Sequence, residues 1–273
     1  MSECTHDCSS CGEKCDQKDL RAPLNQYSQI KKVVAVSSGK GGVGKSSVTA
    51  MLAVLLARRG YRVGVLDADI TGPSIPKAFG LTRKAAANDL GILPEETAMG
   101  IKVMSVNLLL EDESQPVVWR GPVVSGAVTQ FWTDVVWGEL DVLLIDMPPG
   151  TGDIPLTVYQ SIGPDANLIV TTPQSLVQMV VGKAQRMAAM LDIPVLGFVE
   201  NMSYVKCPDC GRELPLFGDG QALKTAAEEW HLPVLARLPM DASVAALCDS
   251  GEIERVVCDE LAGAVDAVEA LLH

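Results

Sequence analysis

Val33-Val-Ala-Val-Ser-Ser-Gly39-Lys40-Gly41-Gly42-Val43-Gly44-Lys45-Ser46-Ser47-Val48 is the stretch that decides the fold. The apolar run Val33 to Val36 reads as a buried strand, and Val48 to Arg59 is rich in helix formers and poor in Gly and Pro. Between them GxxxxGK[ST] is filled by Gly39, Gly44, Lys45 and Ser46. Strand, glycine loop and helix in that order turn a pattern match into a phosphate site. Glycines let backbone N–H groups turn inward around an anion, and the helix N-terminus adds partial positive charge. The loop from Gly39 to Ser47, including Gly41, Gly42 and Val43, is thus expected to cradle ATP. Lys45 is expected on the β- and γ-phosphates and Ser46 on Mg²⁺.

At 273 residues, 48% of them hydrophobic, the chain fits one α/β domain or two small ones. Mean hydropathy is positive, yet no apolar run approaches the ~18 residues of a membrane span. The polar, cysteine-rich N-terminus is not a signal peptide, so a cytoplasmic protein without membrane partners is expected. A formal charge of −12 disfavours nucleic acid, which asks for a basic face. Eight cysteines in such a chain point to metal or redox chemistry.

Residues 1–28 read as a flexible tail with almost no aliphatic side chains. Cys4, Cys8, Cys11 and Cys15 crowd into it, four thiolates fit for Zn²⁺ or an iron–sulfur cluster. Their spacing does not choose the metal, and His6 reads as a bystander, with a substitute ligand as the alternative. Residues 29–273 form the expected ATPase domain. Tyr61 to Asp69 reads as a second strand with acids at its ligand edge. Asp67 and Asp69 are two apart, so only one of them faces the phosphates. Ile70 to Pro76 follows as a rigid switch loop.

Residues 82–100 give no clear element. A strand is expected at 101–106 and a helix from Pro122 to about Val136. Asp141-Val-Leu-Leu-Ile-Asp146 has the Walker B shape, with Asp146 on Mg²⁺ and Met147 to Asp153 as a second switch. Strands are expected at 167–173 and 194–201, with a helix from Ser175 to Leu191 between them. A last strand at 234–239 precedes an acidic amphipathic helix from Glu254 to Leu272. This alternation argues for a mostly parallel, twisted sheet with helices on both faces, the P-loop NTPase form of the α/β class. Asn201 ends its strand on the ligand edge. Its amide suits the edge of adenine but equally a strand cap.

Cys207-Pro-Asp-Cys210-Gly211 is a tight knuckle aiming two sulfurs at one point, half of a four-ligand site. Either the N-terminal cysteines or a second copy across a two-fold axis completes it. A redox pair and a zinc knuckle are the competing readings. Cys248 and Cys258 lack metal spacing and read as partly buried thiols.

Lys40 is extra to the phosphate loop. It resembles the signature lysine of the deviant Walker A ATPases, which include MinD, ParA and the nitrogenase iron protein. The ordered blocks GKGGVGKS (39–46), LDADITGPSIP (66–76), WRGP (119–122), IDMPPGTGD (145–153), TTPQ (171–174), VENMSY (199–204), CPDC (207–210) and LPMD (238–241) resemble the Mrp/ApbC iron–sulfur cluster carrier ATPases over about residues 30–270. That resemblance implies a homodimer with ATP between protomers. It implies a [4Fe–4S] cluster bridged by Cys207 and Cys210 of each copy and handed to apo iron–sulfur client proteins. It gives Lys40 the cross-subunit contact, Asp69 the attacking water and Asn201 the adenine, with Lys45 and Asp146 completing a slow ATPase. The four-cysteine tail resembles that of eukaryotic cytosolic scaffold relatives, with tighter spacing. A zinc-stapled nucleotide-binding regulator is the main alternative. A positioning ATPase of the MinD or ParA kind is the other, but the C-terminus is too acidic for the membrane or DNA contact it needs.

Overall fold

The computed structural model describes residues 21–69, 72, 74–109, 121–174 and 177–273. The tail cysteines Cys4, Cys8, Cys11 and Cys15 lie outside these residues, as do Ile70, Thr71 and Pro73 of the first switch and Trp119-Arg120.

Among the described residues eleven strands and eight α-helices alternate. β1 (Gln29–Ser37) leads through the glycine loop into α1 (Lys45–Arg58), and β2 (Val63–Asp67) leads into α2 (Ile75–Ala78). Residues 82–100 resolve into a small hairpin of β3 (Ala87–Asn88) and β4 (Gly91–Ile92), then an edge strand β5 (Glu95–Glu96). β6 (Lys102–Ser105), α3 (Gly121–Thr133), β7 (Glu139–Asp146), α4 (Asp153–Thr157), β8 (Ala166–Thr171) and α5 (Val177–Met190) follow. The last third holds β9 (Val195–Lys206), β10 (Glu213–Leu214), α6 (Gln221–Trp230), β11 (Val234–Pro239), α7 (Ala242–Ser250) and α8 (Ala262–Glu269).

The main sheet runs β10-β9-β8-β1-β7-β2-β6-β5, with β11 also on β9. Every pairing is parallel except β10 on β9 and β5 on β6. Strand alternation sorts the side chains to two faces. Val34, Val36, Val142 and Leu144 pack with α1 and the C-terminal segment on one face. Val33, Ala35, Leu143 and Ile145 pack with Phe131 and Trp132 of α3 on the other. α1 is buried on nearly all sides, which explains why its sequence is apolar almost throughout.

Four expectations are corrected. α3 stops at Thr133 rather than Val136, because the β-branched pair Val135-Val136 is captured by Ile92 of β4. The C-terminal helix from Glu254 is broken into a 3₁₀ turn at Ile253–Arg255, a second at Asp259–Leu261, and α8. Arg58 binds the carbonyls of Glu254 and Val256, which are then lost to the helical ladder, and Val256 is extended. β9 does not end at Asn201 but runs to Lys206, bent at Met202 with φ 55°. Residues 22–28, placed in the flexible tail, are tied to the domain. Trp132 Nε1 donates to the Ala22 carbonyl at 3.0 Å, and Asn25 Nδ2 donates to the Thr133 carbonyl at 3.2 Å.

Candidate functional site

In an open parallel sheet ligands gather at the carboxyl ends of the strands. There the glycine loop leaves β1 and α1 begins. Gly42 and Gly44 both sit at φ 76°, the left-handed region that a side chain disfavours. A cavity of about 250 Å³ opens over the loop, lined by Lys40 to Ser47 with Ser38, Asp69, Ser74 and Pro149. Gly150 N–H donates to the Ser38 carbonyl at 2.9 Å, so the loop after β7 is strapped to the end of β1.

Asp146, fully buried at the end of β7, organises the floor. Its Oδ1 lies 2.7 Å from Lys45 Nζ, and its Oδ2 accepts from Ser46 Oγ at 2.6 Å. The Thr49 hydroxyl lies 2.9 Å from Asp146 Oδ1 and 3.0 Å from the Lys45 carbonyl. Sequence reasoning missed Thr49. The available signal was its place one helical turn beyond Lys45, on the same face of α1. A lysine ammonium, a serine hydroxyl and a carboxylate under a glycine loop are what a nucleotide phosphate and a hard, oxygen-seeking Mg²⁺ require. The residues present fit both.

Asp67 and Asp69 divide their work as alternation requires. Asp67 is buried beside Asp146 in register on the neighbouring strand. It accepts from the amides of Asp69 at 3.1 Å and Ile75 at 3.4 Å, and from Ser105 Oγ at 3.2 Å. Burial, and then the Asp146 carboxylate, push its carboxyl well above the usual range. It is an anchor for the turn. Asp69 is half-buried and lines the cavity. Lys40 Nζ donates to Gln174 Oε1 of its own chain. Asn201 Nδ2 donates to the Val43 carbonyl at 2.9 Å, so the middle of β9 braces the loop from behind. An added Cβ on Gly44 would lie 2.3 Å from that same nitrogen.

Six residues further along, past the bend at Met202, β9 opens into the cysteine knuckle. Cys207 N–H donates to the Arg212 carbonyl and Gly211 N–H to the Cys207 carbonyl, both at 2.9 Å, and Gly211 turns with φ 71°. β10 then returns antiparallel, with Glu213 opposite Lys206. The backbone amides of Cys210 and Asp209 aim at the Cys207 sulfur and, with the Cys210 thiol, hold its pKa below the ordinary thiol value. Cys210 is exposed. Among the described residues no group of three or more His, Cys, Asp or Glu is placed to hold a metal ion. Cys248 and Cys258 are partly buried, and burial pushes both thiols up, as ordinary thiols.

A family profile described as ParA, NUBPL iron-transfer P-loop NTPase, matches residues 29–271. The chain belongs to this family. Among curated members of like sequence, the iron–sulfur cluster carrier protein of Methanocaldococcus jannaschii is 48% identical over 261 residues, covering 92% of this chain and 90% of that one. The carrier protein of Clostridium perfringens is 46% identical over 241 residues, with 85% and 84% covered. A nucleotide-binding protein of Archaeoglobus fulgidus, solved in complex with ADP, superposes on this NUBPL-type NTPase with TM-score 0.76 at 47% identity, covering 84% of this chain and 90% of that one. The cell division ATPase MinD of Pyrococcus furiosus shares the fold, with TM-score 0.62 at 19% identity over 88% of this chain and 97% of that one. Among the described residues no helix is long and apolar enough to cross a membrane.

Proposed function

We propose that the chain is a nucleotide-gated carrier that holds a [4Fe–4S] cluster as cargo and passes it to apo-proteins. The observation that carries this reading is β9. One continuous strand braces the phosphate loop through Asn201 and ends in the exposed Cys207–Cys210 knuckle. Loop and knuckle are thereby joined by one strand that bends at Met202, a physical means by which two sites can share a free energy.

Each knuckle offers two thiolates where a cubane cluster takes four. A homodimer with the knuckles facing across a two-fold axis supplies them. At the nucleotide, Lys45 turns from Asp146 to the β- and γ-phosphates, and Ser46 with Asp146 holds Mg²⁺. The metal, once bound, neutralises phosphate charge. Asp69 orients the attacking water from the cavity wall. Lys40 leaves Gln174 to reach the nucleotide of the partner subunit, and Asn201 offers its remaining amide valences to adenine. Hydrolysis is slow because it serves as a switch. The carrier works in the cytoplasm, and the tail cysteines Cys4, Cys8, Cys11 and Cys15 form a second metal site.

The test is anaerobic reconstitution with iron and sulfide of wild type and of Cys207→Ala/Cys210→Ala. Wild type is expected to gain broad visible absorbance and about two more iron atoms per chain than the variant, one cubane per dimer. Zinc without iron, unchanged by reconstitution, would sink the carrier reading in favour of a zinc-stapled regulator.

A further inference from the structure

Three large apolar side chains lie exposed directly after the knuckle. Leu214 is 40%, Leu216 58% and Phe217 40% accessible, an unusual concentration on a chain of formal charge −12. Leu214 is in register with Val205, two residues before Cys207, so the patch begins beside the cysteine turn. Its far end is fixed rather than loose. Gly218, at φ 134°, packs so closely on the carbonyl of Pro173 that an added Cβ would lie 2.4 Å from that oxygen. Gly220 packs in the same way on the buried carboxylate of Glu200 in β9, where an added Cβ would lie 3.1 Å from both oxygens. The loop is thus held at both ends, beside the knuckle by the pairing of β10 on β9 and at its far end by two special backbone positions on Pro173 and Glu200.

This inference rests on the bridged-cargo reading above. Two knuckles that share one small cluster bring their flanks together. In a two-fold interface residues near the axis meet their own equivalents. The segment from Leu214 to Phe217 is then forced against the same segment of the second copy. We propose that Leu214, Leu216 and Phe217 form, from both copies, an apolar collar that closes water away from the cargo cluster. The occupant of the patch is a second copy of this chain, because in the bridged reading one knuckle supplies two thiolates and the second copy supplies the other two. Solvent access governs the lability and potential of iron–sulfur clusters, so the collar sets how long cargo is retained.

The test uses the full chain, reconstituted anaerobically, with Leu216→Ser/Phe217→Ser, the milder Phe217→Ala, and Leu90→Ser as a remote control that is 46% exposed in the β3–β4 turn. Iron at time zero, the rate of iron loss to an added chelator, and ADP affinity are read for each. The double variant is expected to bind ADP as wild type does and to lose iron roughly 10-fold faster, the scale of effect seen for outer-shell changes at metal sites. Phe217→Ala should fall between it and wild type, and Leu90→Ser should match wild type. Equal loss rates in all four proteins overturn the collar. An unchanged loss rate with slower delivery to an apo iron–sulfur acceptor also overturns it and makes the patch a client contact. Should the double variant lose ADP binding through misfolding, the comparison of Phe217→Ala with wild type decides. Wild type that holds no iron dependent on Cys207 and Cys210 marks a failure of the bridged reading, not of the collar.

Discussion

Asp141 and Asp146 stand at opposite ends of β7, and their surroundings give them opposite duties. Asp146 gathers the Lys45 ammonium and two hydroxyls at the ligand edge. Asp141 clasps the far end of the sheet, taking Arg62 Nη2 at 3.1 Å and Lys31 Nζ at 2.8 Å. The Arg62 guanidinium, ahead of Lys31, holds the Asp141 carboxyl far below the usual range. A depressed carboxylate stabilises the fold above its unfolded pKa, and that stability is lost as pH falls through the folded value. Asp141→Asn is therefore expected to cost on the order of 1 kcal/mol at pH 7, since both cations are half exposed and screened. The cost should shrink below about pH 4, the unfolded pKa of an aspartate. Urea unfolding of both proteins at pH 7 and pH 3 checks this, and a gap independent of pH would refute the ionised clasp. Asp146 was legible in the sequence because an apolar run ends on it. Thr49 was not, because a helical threonine acquires a role only when α1 and β7 come together. The choice between Asp67 and Asp69 was half legible: alternation allows one to face the cavity, but Ser105 and the Ile75 amide decide which.

At the scale of elements, β9 is where sequence reasoning fell short. Asn201-Met-Ser-Tyr-Val-Lys206 lacks the continuous apolar run that marks a buried strand. It is held extended by distant partners, β11 on one part and β10 on another. The same dependence on remote partners explains the broken C-terminal helix, whose amphipathic pattern is real but whose carbonyls at 254 and 256 are taken by Arg58. The contact of β9 with the phosphate loop yields a second prediction. Gly44→Ala places a Cβ against Asn201 Nδ2 and strains a left-handed residue at about 1–2 kcal/mol. Removing the obstacle with Asn201→Ala should relieve the clash and leave the strain. A double-mutant cycle on unfolding free energy is expected to show at least ~1 kcal/mol of favourable coupling. Additive losses would mean that strand and loop do not press on each other.

For the whole molecule, the alternation of strands and helices was enough to predict a parallel sheet covered on both faces. The order of strands was not readable, nor were the two short antiparallel edges, because long-range pairing sets both. Net charge also belongs to this scale. Two chains of formal charge −12 repel as they meet. Salt screens that repulsion, with a Debye length near 8 Å at physiological ionic strength. The proposed dimer should therefore tighten several-fold between about 20 mM and 150 mM salt, the reverse of a nucleic-acid binder. Sedimentation of the reconstituted protein across that range is the measurement. Dimers that weaken with added salt would place complementary charges, rather than apolar side chains, at the interface.

The lowered pKa of Cys207 has a practical meaning for the empty protein. Thiolates, not thiols, react with alkylating reagents. The amides that lower this pKa raise its thiolate fraction above that of Cys248 and Cys258, which burial shifts the other way. Under the proposed role of Cys207, the modification rate of this one side chain would be a footprint of occupancy, fast in the unladen carrier and suppressed once the sulfur is bound to iron.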